Sequence, residues 1–395
     1  MSLTIHHVFR LFTGQNQQIK DAVLIVEDDT VIDVAHIDDL YVQPYLQRKD
    51  AVHVHHGSTI MVPGFIDIHN HGALGHDFTF PDQENMDRLA NYFATEGTTS
   101  FLASTMARPR KDELAYLSVL GKLQIPAQGA RWVGIHDEGP YLNMKYRAVM
   151  EAEGIRPFIK GEIDEDVRVS NSRMKMITVA PETEDIETLI IECHRHQIAV
   201  MFAHTNATAQ QTLHALEVGG DGFTHLYNAM TPHTHRNPGA VTAALLKGNS
   251  YCELVLDGFH VDPLVVKLTH QIIGSKRLIA ITDSNPGKGL GNGEFIFGGV
   301  VCESKDGKAT IKETGRIAGS TIGMIDAFRN IIAFTGCDIE DAVEMCTVNP
   351  ARLLKLDKIG SLTAGYKADF VILNEAYEII STYRDGQKVY ESKQP

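Results

Sequence analysis

The 395-residue sequence has no Cys-X-X-Cys pair, no basic stripe, no apolar run long enough to span a bilayer, and no internal repeat or low-complexity segment. Each absence closes a class of function. Its five cysteines, Cys193, Cys252, Cys302, Cys337 and Cys346, are odd in number and widely spaced, which fits reduced, mostly buried thiols in a cytoplasm. Lysine and arginine total 36 against 50 aspartates and glutamates, a net charge of −14, so nucleic acid and anionic membrane are not expected partners. The start of the chain lacks a basic segment followed by an apolar core and cleavage site, and a soluble cytoplasmic protein is expected.

What is present alternates. Short strand signals at the start, Ala22 to Val26 and Thr30 to Val34 around the acidic turn Glu27-Asp28-Asp29, match a second set at the end, Ala368 to Leu373 and on to Tyr390. Neither set buries a core alone. The economical arrangement is one small β-sandwich built from both termini, residues 1–60 plus 345–395, with residues 61–344 inserted as a second domain. In that insert, strand-like runs are predicted at Val62–Ile68, Thr99–Ala103, Trp132–Asp137, Lys175–Val179, Ile198–Ala203, Gly222–His225, Tyr251–Leu256 and Leu278–Thr282, with helices between them. Met86, Leu89, Ala90 and Phe93 mark one helix, stopped by Gly97, and Glu187–His196 marks another. Eight strands alternating with helices predict an α/β fold, a (β/α)8 TIM-type barrel, more readily than a doubly wound sheet. A hairpin, Glu294–Cys302 turning at Asp306-Gly307 into Ala309–Ile311, follows the eighth strand.

The reactive side chains fall at strand ends. The first strand runs into His69 and His71, two apart and therefore able to offer imidazoles to one point. The third ends at Asp137-Glu138, the fifth at His204, the sixth at His225, the seventh at Asp257-Gly258-Phe259-His260, and the eighth at Asp283. In a barrel these ends converge on one mouth, where such folds keep their chemistry.

Pro63-Gly-Phe-Ile-Asp-Ile-His-Asn-His-Gly72, the segment Gly360 to Leu373 and Asp283 together resemble the metal-dependent amidohydrolase superfamily. Gly134 to Asn143, Ala180-Pro181-Glu182, His204 to Ala207, Thr224 to Met230 and Asp257 to Asp262 resemble, in order and over nearly the whole chain, the N-acetylglucosamine-6-phosphate deacetylase family. The resemblance implies Glu138, His204 and His225 as ligands of a divalent metal, Zn or Fe, with His69 and His71 able to hold a second ion bridged by Glu138. It implies Asp283 as the general base and then acid. Arg236 matches a phosphate-binding arginine that reaches a neighbouring subunit's site, so a homodimer is expected. Asn228, Ala229 and His260 match sugar-phosphate contacts, and Ala318 lies in the segment that closes over substrate.

The expected reaction is removal of the acetyl group from an amino sugar 6-phosphate, N-acetylglucosamine 6-phosphate first and N-acetylgalactosamine 6-phosphate or another N-acyl amino sugar next. Another amidohydrolase, acting on a cyclic amide or as a deaminase, is the alternative, and a barrel that has lost its reaction is a third. The intact Glu138, His204, His225 and Asp283 speak against the last. Three departures from the family pattern are expected near the acyl or sugar pocket. Met150 stands where the family has a histidine that polarises the substrate carbonyl, and thioether sulfur cannot donate to an oxyanion. Asp137 replaces an apolar residue, and Ser284-Asn285 replace small ones.

Overall fold

The computed structural model describes residues 2–246 and 248–393. The chain opens with β1 (Leu3–Phe12), β2 (Gln18–Glu27), β3 (Thr30–His36), β4 (Val52–His55) and β5 (Ile60–Pro63). The barrel begins with β6 (Phe65–Asp67), which is followed by a small hairpin of β7 (Gly72–Ala73) and β8 (His76–Asp77). It continues through β9 (Thr98–Met106), β10 (Arg131–Glu138), β11 (Met174–Val179), β12 (Ala199–Phe202), β13 (Gly222–Phe223), β14 (Tyr251–Val255) and β15 (Leu278–Ile281). After it come β16 (Gly293–Phe297), β17 (Val300–Lys305) and β18 (Lys308–Ile311), then β19 (Phe370–Leu373), β20 (Ile379–Arg384) and β21 (Gln387–Glu391).

Strands from both termini join in one eight-stranded sheet, ordered β21-β20-β19-β5-β1-β2-β3, with β4 beside β1. One face buries Val8, Leu24, Val26, Met61, Phe370 and Ile372 together. The expected single strand Val62–Ile68 is in fact two: β5 pairs with β1 and β19 of this sheet, and β6 pairs with β9 of the barrel. The transfer happens at Gly64, where a Cβ would lie 2.1 Å from the Thr99 hydroxyl, so only glycine leaves room for the Thr99 side chain against this stretch of chain.

The eight barrel strands stand in the order β15-β14-β13-β12-β11-β10-β9-β6, all pairs parallel. The seam between β15 and β6 is sealed by Asp67, whose carboxylate accepts from the Thr282 hydroxyl at 2.6 Å and the Thr282 amide at 3.3 Å. Alternation sorts the side chains as a closed sheet requires. Phe65, Phe101 and Phe202 point outward into a core shared with the helices, while Ile66, Leu102, Met176, Met201, Val255 and Ile281 fill the interior. Leu353 and Leu354, from the helix Asn349–Leu353 and its end, pack into this interior cluster.

The helices follow the same logic. Gln83–Ala94 buries Met86, Leu89, Ala90 and Phe93, the predicted stripe, and the Asp82 carboxylate caps it by accepting from the Asn85 amide at 2.8 Å. Burying those larger side chains contributes roughly 1.5–3 kcal/mol apiece, against about 1 kcal/mol for the cap. The hairpin after the eighth strand is a three-stranded sheet: the predicted Glu294–Cys302 arm breaks at Gly298-Gly299, both at positive φ, into antiparallel β16 and β17. Among the described residues no helix is long and apolar enough to cross a membrane.

Candidate metal centre and active site

Above the apolar interior lies a neutral polar layer. His136 is hydrogen-bonded through Nδ1 to the Ser104 hydroxyl (2.9 Å) and through Nε2 to the Thr178 hydroxyl (2.8 Å). Burial, helped by neighbouring His69, holds its pKa well below the ordinary histidine value, so it is an uncharged floor for the site. His69 sits edge-on above it, with ring centroids 4.5 Å apart.

The strand-end residues then converge as the sequence predicts. His204 Nε2 and His225 Nε2 lie 3.1 and 3.0 Å from Glu138 Oε1, and 3.1 Å from each other. His69 Nε2 and His71 Nε2 are 3.2 Å apart, and His71 Nε2 is 3.3 Å from Glu138 Oε2. Glu138 thus faces both histidine pairs: Oε1 lies against His204 and His225 and 3.7 Å from His69 Nε2, while Oε2 lies against His71. Asp283 Oδ1 stands 3.5 Å from both His69 and His71. All six side chains are buried.

This crowding tests whether a cation suits the site. Imidazole nitrogens held at 3.1–3.2 Å, lone pairs facing a carboxylate, repel unless a proton or cation lies between them. Two groups, Glu138-His204-His225 and His69-His71-Glu138, have donor atoms close enough to share an ion. Without a cation the charges lean on one another. Burial favours the neutral carboxyl, but His204, His225 and His71 outweigh it and hold Glu138 well below the usual carboxylate range. Burial likewise opposes, and His69, His71 and His225 overcome, a shift that takes Asp283 down to about 2. The second coordination partners are in place too: His204 Nδ1 donates to the Tyr146 carbonyl at 2.7 Å, and His69 Nδ1 to Glu253 Oε2 at 3.2 Å.

The backbone is bent to aim these groups. His204, His225, Ala229 and Asp283 all have φ between 34° and 50°, in the left-handed region that L residues avoid. The His204 carbonyl accepts from the Asn143 amide (2.8 Å), the Ala229 carbonyl from Thr205 (3.0 Å), and the Asp283 carbonyl from Ser320 (2.7 Å). These bonds hold each turn in place just after its strand.

A cavity of about 490 Å³ opens over the centre. It is lined by His71, Glu138, His204, His225 and Asp283, and further out by Asn228, Ala229, His260 and Ala318 of the predicted substrate contacts. His260 Nδ1 donates to Asp257 Oδ2 at 2.7 Å; burial lowers its pKa, but this bond and the Asp257 charge raise it above the ordinary value. The predicted Arg236 is not there. It is exposed on the loop between β13 and the helix Ala240–Leu246, outside its own chain's cavity.

Of the three departures, Met150 lines the cavity, within an apolar wall that includes Met106, Val149 and Phe297. Asp137 does not. As the residue before Glu138 on β10 it faces outward, accepting from the Thr105 hydroxyl (2.7 Å) and the Tyr116 hydroxyl (2.8 Å), and burial with Glu113 pushes its pKa up to about 7. Ser284 and Asn285 are buried behind the wall, where Asn285 Nδ2 donates to the Ala318 carbonyl at 2.7 Å. The sequence reading missed Glu253 and His136. Glu253 did leave a signal, as a lone carboxylate in the apolar run Tyr251–Leu256, which burial tolerates only with a partner. Lys308 and Arg316 also line the mouth and were not singled out.

The chain is 32% identical over 385 residues to N-acetylglucosamine-6-phosphate deacetylase of Bacillus subtilis (strain 168), covering 96% of each. It is 32% identical over 330 residues to N-acetylgalactosamine-6-phosphate deacetylase of Escherichia coli O157:H7, covering 83% of this chain and 87% of that one. Its fold superposes with a TM-score of 0.89, at 27% identity, on a mutant N-acetyl-D-glucosamine-6-phosphate deacetylase from Mycobacterium smegmatis solved in complex with N-acetyl-D-glucosamine-6-phosphate, covering 98% of this chain and 100% of that one. The family model described as "Amidohydrolase family" matches residues 60–389, and the chain belongs to that family, among its N-acetylglucosamine-6-phosphate deacetylases.

Proposed function

We propose that this chain hydrolyses the N-acetyl amide of an amino sugar 6-phosphate, with N-acetylglucosamine 6-phosphate as substrate and glucosamine 6-phosphate plus acetate as products. The observation that carries the reading is the meeting of Glu138, His204 and His225 at one point, with Asp283 beside them in the same cavity as Asn228 and His260. A carboxylate with two imidazoles suits Zn²⁺ or Fe²⁺ and leaves room for water. When bound, such an ion supplies Lewis acidity that brings the pKa of water from about 15.7 toward about 7 and polarises an amide carbonyl.

The chain's own groups do the rest. Asp283, ionised at neutral pH, takes a proton from the attacking water at its carboxylate and returns it to the departing amine nitrogen, base and then acid. His260, held protonated-ready by Asp257, and the amide of Ala229 face the sugar phosphate, and Asn228 orients the sugar. The Met106, Val149, Met150 and Phe297 wall takes the acyl methyl and excludes water from it. Met150 donates no hydrogen bond, so stabilising charge on the carbonyl oxygen would fall to an ion held by Glu138, His204 and His225.

Arg236, outside its own cavity, serves the cavity of a second subunit, and the working form is a homodimer. Its guanidinium fork suits phosphate. The five unpaired cysteines suit the cytoplasm as the place of action. N-acetylgalactosamine 6-phosphate is the second reading, favoured by the equal 32% identity to the galactosamine relative. A panel of N-acyl amino sugars, with and without the 6-phosphate, assayed for released amine decides among them. Fastest turnover of N-acetylglucosamine 6-phosphate is expected; preference for an unphosphorylated amide would overturn the reading.

A further inference from the structure

Glu253 is fully buried at the heart of the barrel, and nothing in the reaction above uses it. A carboxylate there is costly unless it is paired. Its Oε2 has two partners: it accepts from His69 Nδ1 at 3.2 Å and from the His225 backbone amide at 3.2 Å, while Oε1 has none. It therefore touches one residue from each histidine pair, and it meets the side chain of only one of them.

That contact fixes a tautomer. With Nδ1 carrying the proton toward Glu253, His69 presents the Nε2 lone pair toward His71 Nε2 and Glu138, 3.2 and 3.7 Å away. The neutral floor residue His136 sets the height of the ring from below. On the other side of the centre, the Tyr146 carbonyl does the same for His204. A hydrogen-bonded carboxylate behind a histidine both orients the ring and strengthens it as a donor.

We propose that Glu253 is the positioning residue of a second divalent-cation site, His69-His71-Glu138, adjoining the Glu138-His204-His225 site. This rests on the reading of the centre as a metal site, and it adds that the barrel interior carries a dedicated carboxylate for the second ion. In its absence His69 is free to turn its ring or exchange tautomer, and the second ion loses one of three donors. The first ion keeps all of its own.

The test counts zinc on the full-length protein. Samples are dialysed against buffers of stepped free zinc and measured by elemental analysis, for wild type, Glu253→Gln, Glu253→Met and His69→Asn. Two equivalents are expected for wild type. Glu253→Gln should leave the tighter equivalent unchanged and weaken the other about 10–100-fold. Glu253→Met and His69→Asn should lose the second equivalent at zinc levels that saturate wild type. Wild type holding a single equivalent overturns the proposal, as does Glu253→Gln binding both ions like wild type. Equal weakening of both equivalents also overturns it, because that is the signature of a merely structural residue. A chain that passes this test and cleaves no amino sugar amide leaves the assignment standing and removes only the substrate reading.

Discussion

At the scale of the residue, the site works by opposed environments. Asp283 and Glu138 are kept ionised by surrounding imidazoles, whereas Asp137, next in sequence to Glu138, is pushed up to about 7 by burial with Glu113 adding to it. One β-strand step separates them, because alternate residues face opposite sides of the barrel wall. Asp283→Asn should lower kcat by about 10²–10⁴-fold with zinc content near wild type, since it removes proton transfer and no ligand. Full activity in that variant would refute the role. The Asp257 carboxylate raises the His260 pKa against the lowering effect of burial. Asp257→Asn should therefore let it fall, so that the imidazolium is lost at a lower pH than in wild type and KM for the phosphorylated substrate begins to rise at that lower pH, with the difference from wild type closing as the pH is lowered further. Steady-state KM across pH reads this. The clustered histidines and Asp283 were legible in the sequence because each ends a strand; Glu253 was hidden inside an apolar run, and the outward turn of Asp137 depends on strand parity that spacing alone leaves open.

At the scale of the element, the barrel reads easily and its edges do not. The eight strands and the Met86-Leu89-Ala90-Phe93 helix stripe follow periodicity, which the packing preserves. What periodicity misses is where a strand changes sheets: Val62 and Ile66 are equally apolar, yet Gly64 passes the chain from one sheet to another. Gly298-Gly299 breaks the predicted hairpin arm for a similar reason, by supplying two positive φ values in succession. Leu353 packs into the interior cluster of the barrel, so Leu353→Ala should cost about 2–5 kcal/mol in denaturant unfolding while leaving activity per folded molecule unchanged. Asp137 belongs to the wall between β10 and the helix Arg110–Leu120, and it predicts a pH effect on stability. Its folded value, about 7, lies above the unfolded 3.8, so the fold binds the proton more tightly and its contribution is lost as pH rises through about 7. Asp137→Asn keeps an acceptor for Thr105 and Tyr116. It should flatten that decline in melting midpoint against pH, and an unchanged slope would show that another group carries it.

At the scale of the whole molecule, one chain brings together the side chains that could hold a cation and lines most of the cavity over them, and leaves Arg236 exposed outside that lining. The proposed homodimer, in which each subunit would complete the other's phosphate site, would account for this. Arg236→Ala and Asp283→Asn are each expected to be nearly inactive alone. Mixed, unfolded and refolded together, they should regain activity, because a hybrid dimer holds one cavity with both residues intact; no recovery would show that Arg236 does not serve a neighbouring subunit's cavity. All of this depends on a cation at the centre. The most direct measurement is anomalous X-ray scattering at the zinc edge from crystals of the zinc-loaded protein. The account predicts a peak within bonding distance of Glu138, His204 and His225 together, and crystals whose zinc scatters elsewhere, with those three side chains bound only to one another, would contradict it.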